Sequence, residues 1–297
     1  MRELHRPSRF HATRAVRSAM LCLPLVLSAA AEDPPLWSGT LEVGASHAQP
    51  VSTSDGDLAV DEALAEARTY WQPRLGIRLG IGVGGSYQRY DGEPLSTSGD
   101  SVWLRLPATF MWSEHWGFTS LSSVGSSTAP GVPFNDGRRW QVQAGVLWVR
   151  NADLLIATSL VVNSRLERGP LIFPLVSLFW RIDEAWSLTV VDEMDNISRL
   201  TRTFDEQWAA SLMIDARFFE FALPGQDGGP AVFDDDRAII GLEGAWRPWR
   251  NARLAVRPFI GAVVARHIAL LDDQGEQLSS TWIPPAPVAG LSLRADF

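Results

Sequence analysis

From about residue 71 to the C-terminus the chain alternates apolar and polar residues with a period of two. Successive side chains of an extended strand point to opposite faces, so this spacing commits the chain to β-structure with one apolar face per strand. In 74–90, Leu75, Ile77, Leu79, Ile81, Val83 and Tyr87 fall on one face, and Gly76, Arg78, Gly80, Gly82, Gly84, Ser86 and Gln88 on the other. Trp140, Val142, Ala144, Val146 and Trp148 repeat the pattern, as do Trp208, Ala210, Leu212, Ile214, Ala216 and Phe218. Nine further segments read the same way: 101–112, 115–125, 153–164, 170–181, 185–193, 198–204, 235–247, 252–268 and 285–297. Together they predict about twelve strands, within a range of ten to fourteen. The segment 37–46 (Trp37, Gly39, Leu41, Val43, Ala45) is either one more strand or an N-terminal extension. The run 74–90 can also break into two at its glycines.

Composition narrows the class. Hydrophobic residues make up 46% of the 297, yet no apolar run in the body of the chain approaches the roughly 20 residues of a membrane-spanning helix. A single Cys excludes a disulfide scaffold, and 34 acids against 26 basic residues, every one of them Arg, exclude a basic nucleic-acid binder. The apolar content is instead distributed as one face of each strand.

The N-terminus reads as a targeting segment. Arg2, Arg6, Arg9, Arg14 and Arg17 precede the apolar stretch AMLCLPLVLSAAA at 19–31, with Ala29 and Ala31 at the small-residue positions of a cleavage site. That is the pattern of a secretory signal peptide over 1–31. Cys22 is a poor lipid-attachment site, because Leu21 stands where a small residue is needed. Residues 32–70 form an N-terminal segment holding the possible first strand and one helical patch, DLAVDEALAEAR at 57–68. There Val60, Ala63, Leu64 and Ala67 share a helical face and Asp57 can cap the start. Such a helix would plug a barrel mouth or fill a connection. The β-domain itself is expected over 71–297.

The connections alternate in length. Tight ones fall at 113–115, 150–153, 181–185, 205–207 and 248–251, and longer polar ones at 91–100, 126–136, 165–170, 221–234 and 269–284. Only the link at 194–197 breaks the rule by being short. Trp112, Trp116, Trp148, Trp180, Trp186, Trp208, Trp246 and Trp249 flank the tight turns, which puts an indole girdle on one rim. Indole favours a membrane–water interface, because its ring is apolar and its N–H needs a polar partner. The final segment PVAGLSLRADF sets Ala289, Leu291, Leu293, Ala295 and the terminal Phe297 on one face.

With its leader, its alternating strands and its last strand ending on Phe297, the chain resembles bacterial outer-membrane β-barrel proteins. The stretch LIFPLVSLFWRIDEAWSLTV at 171–190 is also similar to a family of outer-membrane barrels without an assigned function. The resemblance implies an all-β, transmembrane, up-and-down antiparallel β-barrel in the cell outer membrane, with short periplasmic turns and longer exterior loops. It further implies contact with outer-membrane lipid and lipopolysaccharide. The barrel-assembly machinery would read Leu291, Leu293 and Phe297 as a C-terminal signal.

The polar strand faces should line the interior, where they carry Arg78, Arg105, Asp215, Arg217, Glu243, Arg247 and Arg257. Arg set beside acids can sort solutes by charge, or it can neutralise a closed interior. The expected function is a porin-like channel or passive transporter for a small solute. The alternative is a non-conducting structural or adhesive barrel acting through its loops. Neither an enzyme, nor a cofactor, a metal or a nucleic-acid partner is expected. Gly80, Gly82 and Gly85 match a dinucleotide fingerprint in form only, since the residues that follow continue a strand. His47, His115 and His267 have no partners at metal-ligand spacing. The acidic groups Asp227, Asp234, Asp235, Asp236 and Asp272, Asp273, Glu276 read as solvated exterior loops, with divalent-cation binding as the less favoured reading.

Overall fold

The computed structural model describes residues 37–53, 56–74, 76–92, 96–191, 196–225, 231–248 and 253–297. The expected signal peptide and Trp249 lie outside these residues. The strands in chain order are β1 (Trp37–Thr53), β2 (Gly56–Arg74), β3 (Ile77–Asp91), β4 (Thr97–Met111) and β5 (Trp116–Thr128). They continue with β6 (Arg138–Asn151), β7 (Leu154–Arg165), β8 (Arg168–Arg181), β9 (Trp186–Val190) and β10 (Ile197–Thr203). The last are β11 (Trp208–Ala222), β12 (Val232–Trp246), β13 (Leu254–Leu271), β14 (Gln277–Ile283) and β15 (Ala286–Asp296).

All neighbours in the wall run antiparallel, and the sheet closes on itself through β1–β15 and β12–β13. β14 and β15 both pair with β13, one on its outer half and one on its inner half, so they share one wall position interrupted at Pro284 and Pro285. Fifteen segments thus occupy the positions of a 14-strand barrel. Each of the twelve expected strands is present. The two additional ones are β1 and β2, and 74–90 does not break.

β2 corrects the helix expected at 57–68. The apolar spacing Val60, Ala63, Leu64, Ala67 suits a helix, but Leu58, Val60, Glu62, Leu64, Glu66 and Arg68 alternate inward along an extended strand. Pairing with β1 and β3 on both edges outweighs the helix propensity of an Ala- and Glu-rich stretch. Among the described residues the wall thus includes 37–74 as well as the expected 71–297. Several expected loops are also shorter, because β4, β8 and β14 extend into them.

One end carries tight turns held by side-chain oxygens accepting backbone amides. Asp183 Oδ1 accepts from Ala185 and Trp186 (2.8 and 2.7 Å), and Asp205 Oδ1 from Gln207 and Trp208 (2.7 and 2.8 Å). At this end Trp112, Trp116, Trp180, Trp208 and Trp246 are exposed, and Trp148 and Trp186 are half-buried. Trp37 and Trp71 join them and stack with centroids 6.2 Å apart; Trp208 and Trp246 stack at 5.8 Å.

Closure is tied at the same end. The Gly39 amide donates to the Phe297 carbonyl at 2.8 Å, and the Phe297 amide to the Gly39 carbonyl at 2.9 Å. A Cβ on Gly39 would run into the Phe297 ring and lie 2.8 Å from the Arg68 carbonyl. Overpacking of this kind costs about 1–3 kcal/mol. We expect Gly39→Val to lower the temperature at which the barrel loses its compact mobility in a detergent gel, and an unchanged temperature would remove closure from this contact.

Candidate functional site

The interior holds three tiers of charge. Nearest the turn end, Arg68 donates to both carboxylate oxygens of Glu66 (2.7 and 3.0 Å) and Arg105 reaches the same carboxylate at 3.2 Å. On the facing wall Arg199 donates to Glu243 at 3.2 Å. The middle tier crosses the lumen. Glu62 on β2 receives Arg217 of β11 at 2.5 Å and Arg237 of β12, and Arg217 also donates to Asp215 at 2.6 Å. In these two tiers each arginine donates to a carboxylate, which is how buried charge is tolerated.

The third tier fills the loop-end mouth. The outer end of β11 lies across the lumen, with that of β12 beside it and still laddered to β13, so that Ala222 meets Thr128 of β5 and the Ala129 amide donates to the Ala222 carbonyl at 2.8 Å. Both faces of this hairpin are packed. On one, Tyr90, Phe221 and Phe233 form an aromatic cluster with centroids 4.6–6.0 Å apart. The Tyr90 hydroxyl donates to Asp235 at 2.7 Å, and Arg266 donates to the same carboxylate at 2.9 and 2.6 Å. On the other face, Arg165 of β7 donates to Glu220 at 2.8 Å and to Asp234 at 2.7 Å, and Arg168 reaches Asp234 at 3.3 Å. Gly99 of β4 makes room for the ring, since a Cβ there would sit 2.7 Å from Phe221. The apolar core of the molecule is gathered here, around Leu58, Val60, Phe221, Phe233, Ile268 and Val288.

Beneath this plug lies a cavity of about 330 Å³. Glu66, Arg68, Arg105, Arg199 and Glu243 line it together with Trp103, Phe218 and Phe259.

Of the interior positions expected from sequence, the structure brings Asp215 and Arg217 together and pairs Arg105 with Glu66 and Glu243 with Arg199. Arg257 is half-buried, with its Nε out of reach of any partner among the described residues. Arg78 lies apart near the turn end, over the Tyr70 ring at 3.8 Å, and Arg247 follows the last residue of β12, where its amide donates to the Gln207 carbonyl at 2.8 Å. Glu62, Glu66 and Arg68 escaped the sequence reading because it took their segment for a helix.

Asp234 and Asp235 correct the solvated-loop reading. They are 5% and 0% exposed and belong to β12, where arginines distant in sequence neutralise them. His115 Nδ1 donates to the Val149 carbonyl (2.9 Å) in a tight turn, and His267 lies against Trp282 with centroids 5.0 Å apart.

Taking one partner from a buried ion pair strands the other, at about 3–5 kcal/mol. We expect Glu220→Ala to loosen the hairpin, seen as faster amide exchange at 219–222 with exchange in the turn-end half of β5 unchanged. Equal exchange in both proteins would show that the hairpin is held by other contacts.

Comparison with solved structures places the fold. A FadL homologue from Pseudomonas aeruginosa superposes with a TM-score of 0.50 at 9% identity, covering 89% of this chain and 90% of that one. An outer-membrane channel from Pseudomonas putida F1 gives 0.47 at 11% identity, with 90% and 97% covered. LpxR from Salmonella typhimurium gives 0.35 at 7%, with 86% and 99% covered. No protein-family model matches the sequence, and no curated relative does. The chain has the fold of the bacterial outer-membrane β-barrels: all-β, antiparallel, up-and-down and closed.

Proposed function

We propose that the protein is a passive transporter for a small solute in the outer membrane, with its tryptophan rim at the periplasmic interface and its plugged mouth outward. The observation that carries this is the cavity itself. A barrel serving only as a scaffold needs no chamber of about 330 Å³ lined by convergent Arg and Glu. Pockets with a few aimed polar groups among apolar walls are the usual form of a small-molecule site. The charged groups balance one another, so the site suits a solute that offers both donors and acceptors. A wide, freely conducting pore is not what this interior supports.

A second reading rests on the plug. Interlocked pairs such as Arg165–Glu220 and Arg266–Asp235, together with the aromatic cluster, are also what a non-conducting barrel with surface roles would carry.

Proteoliposomes separate the two. Transport predicts efflux of a small zwitterionic amino acid well above that of empty vesicles, with a large oligosaccharide retained. Efflux should fall in Glu66→Gln, which weakens the hold on Arg68 and Arg105. Efflux no faster than from empty vesicles would overturn the proposal in favour of the second reading.

A further inference from the structure

Two aromatic rings that line the cavity are each laid over a glycine of the neighbouring strand. Trp103 of β4 stands on the inner face of the wall, with Gly84 of β3 and Gly125 of β5 as its cross-strand neighbours. A Cβ on Gly84 would lie 2.7–2.8 Å from the indole Cε2, Cζ2 and Nε1. Three ring atoms at nearly one distance mean that the indole lies flat on the bare backbone of β3. Phe259 of β13 repeats the arrangement: its partner on β15 is Gly290, where a Cβ would run into the phenyl ring. Glycine weakens a strand, and its place in one often marks a close approach from above. Here it seats a ring against the wall.

Each ring also stands beside an arginine–glutamate pair. Glu66 is the next residue beyond Gly84 in the row that holds Trp103, and Arg105, which donates to Glu66, has its guanidinium carbon 5.1 Å from the Trp103 ring centroid. Phe259 is the cross-strand partner of Glu243, which Arg199 holds at 3.2 Å. The charged residues lining the cavity are five acids and five arginines, so the described lining carries no net charge. A hydroxyl group uses such a pair as it stands, accepting from the guanidinium and donating to the carboxylate. A solute's own carboxylate or ammonium would have to displace one member of the pair and strand the other, which is costly in a buried site.

We infer that the cavity binds a neutral sugar of one or two rings, with its C–H faces against Trp103 and Phe259 and its hydroxyl edges on the Arg105–Glu66 and Arg199–Glu243 pairs. This rests on reading the cavity as the solute site and names the class of solute. A sugar ring is the uncharged solute that presents an apolar face and a hydroxyl edge together, as the two halves of each subsite require. An apolar solute would cover the rings and leave the charged pairs without polar contact, and an open-chain polyol would meet the pairs and leave the rings uncovered. At about 330 Å³ the cavity is at the small end of ligand sites, which excludes a long oligosaccharide.

The test is calorimetric titration of the full-length protein in a polyoxyethylene detergent, which carries no sugar of its own. Glucose, galactose, maltose and lactose are the probes, with sorbitol as the open-chain polyol and serine as the zwitterion. The inference predicts saturable binding of at least one of the four sugars, tighter than that of sorbitol or serine. Affinity should fall about tenfold in Trp103→Leu or in Phe259→Leu, the worth of one aromatic contact, and less in Trp103→Phe, which keeps a ring. Compact mobility in a detergent gel shows that each variant is folded, and two leucine variants are made so that one remains if the other is not. No saturable binding of any of the four sugars, binding of sorbitol or serine as tight as theirs, or an affinity unchanged in the folded leucine variants would overturn it. The readout does not require transport. Sugar binding without solute efflux from proteoliposomes would defeat the transporter reading while leaving the sugar site, and efflux without sugar binding would do the reverse.

Discussion

In hydrocarbon no water is at hand to satisfy a backbone N–H or C=O, and the rest of this structure follows from that requirement. A sheet meets it by closing and leaving no edge. β1 and β2 are drawn into the wall on these terms, with β1 paired to β2 on one side and to β15 on the other. The Gly39–Phe297 amide pair fastens the seam at the end where the chain begins and finishes the barrel.

Inside, the governing problem is charge. A 14-strand barrel is wider than side chains from the wall alone would fill, and the chain answers by folding part of its own wall inward. Among the described residues the ladder between β10 and β11 ends at the pair Ile197–Asp215, and it is beyond this level that β11 turns in, with β12 beside it. Once inside, the hairpin has no lipid-facing side. This explains why Glu220 and Asp234 stand at the strand positions that elsewhere hold residues such as Leu212 or Ile240. Arg165, Arg168 and Arg139 on β6 to β8 meet them.

Much of the wall was legible because lipid facing imposes strict alternation, and Ile77 to Val83 or Trp140 to Trp148 can be read residue by residue. The tryptophans at the turns were legible for a similar local reason. What could not be read locally was the interior. Leu58, Val60, Glu62, Leu64, Glu66 and Arg68 share one face but mix apolar with charged residues, since that face meets the plug at one end and the cavity at the other. With the inward face so mixed, the helical spacing of Val60, Ala63, Leu64 and Ala67 stood out more clearly than the strand. Asp234 and Asp235 likewise read as loop, because their partners Arg165 and Arg266 lie far along the chain.

The account turns on the hairpin lying across the mouth rather than standing in the wall. Thr128 and Ala222 are paired neighbours in the folded-in arrangement and would be held far apart across the barrel if β11 stayed upright. The sole natural cysteine, Cys22, falls in the expected leader, so a Thr128→Cys, Ala222→Cys double variant reports this pair directly. Near-complete bridging by a short thiol cross-linker in the membrane-inserted protein is the result the account predicts. Absence of bridging, with both thiols free to react singly, would contradict it.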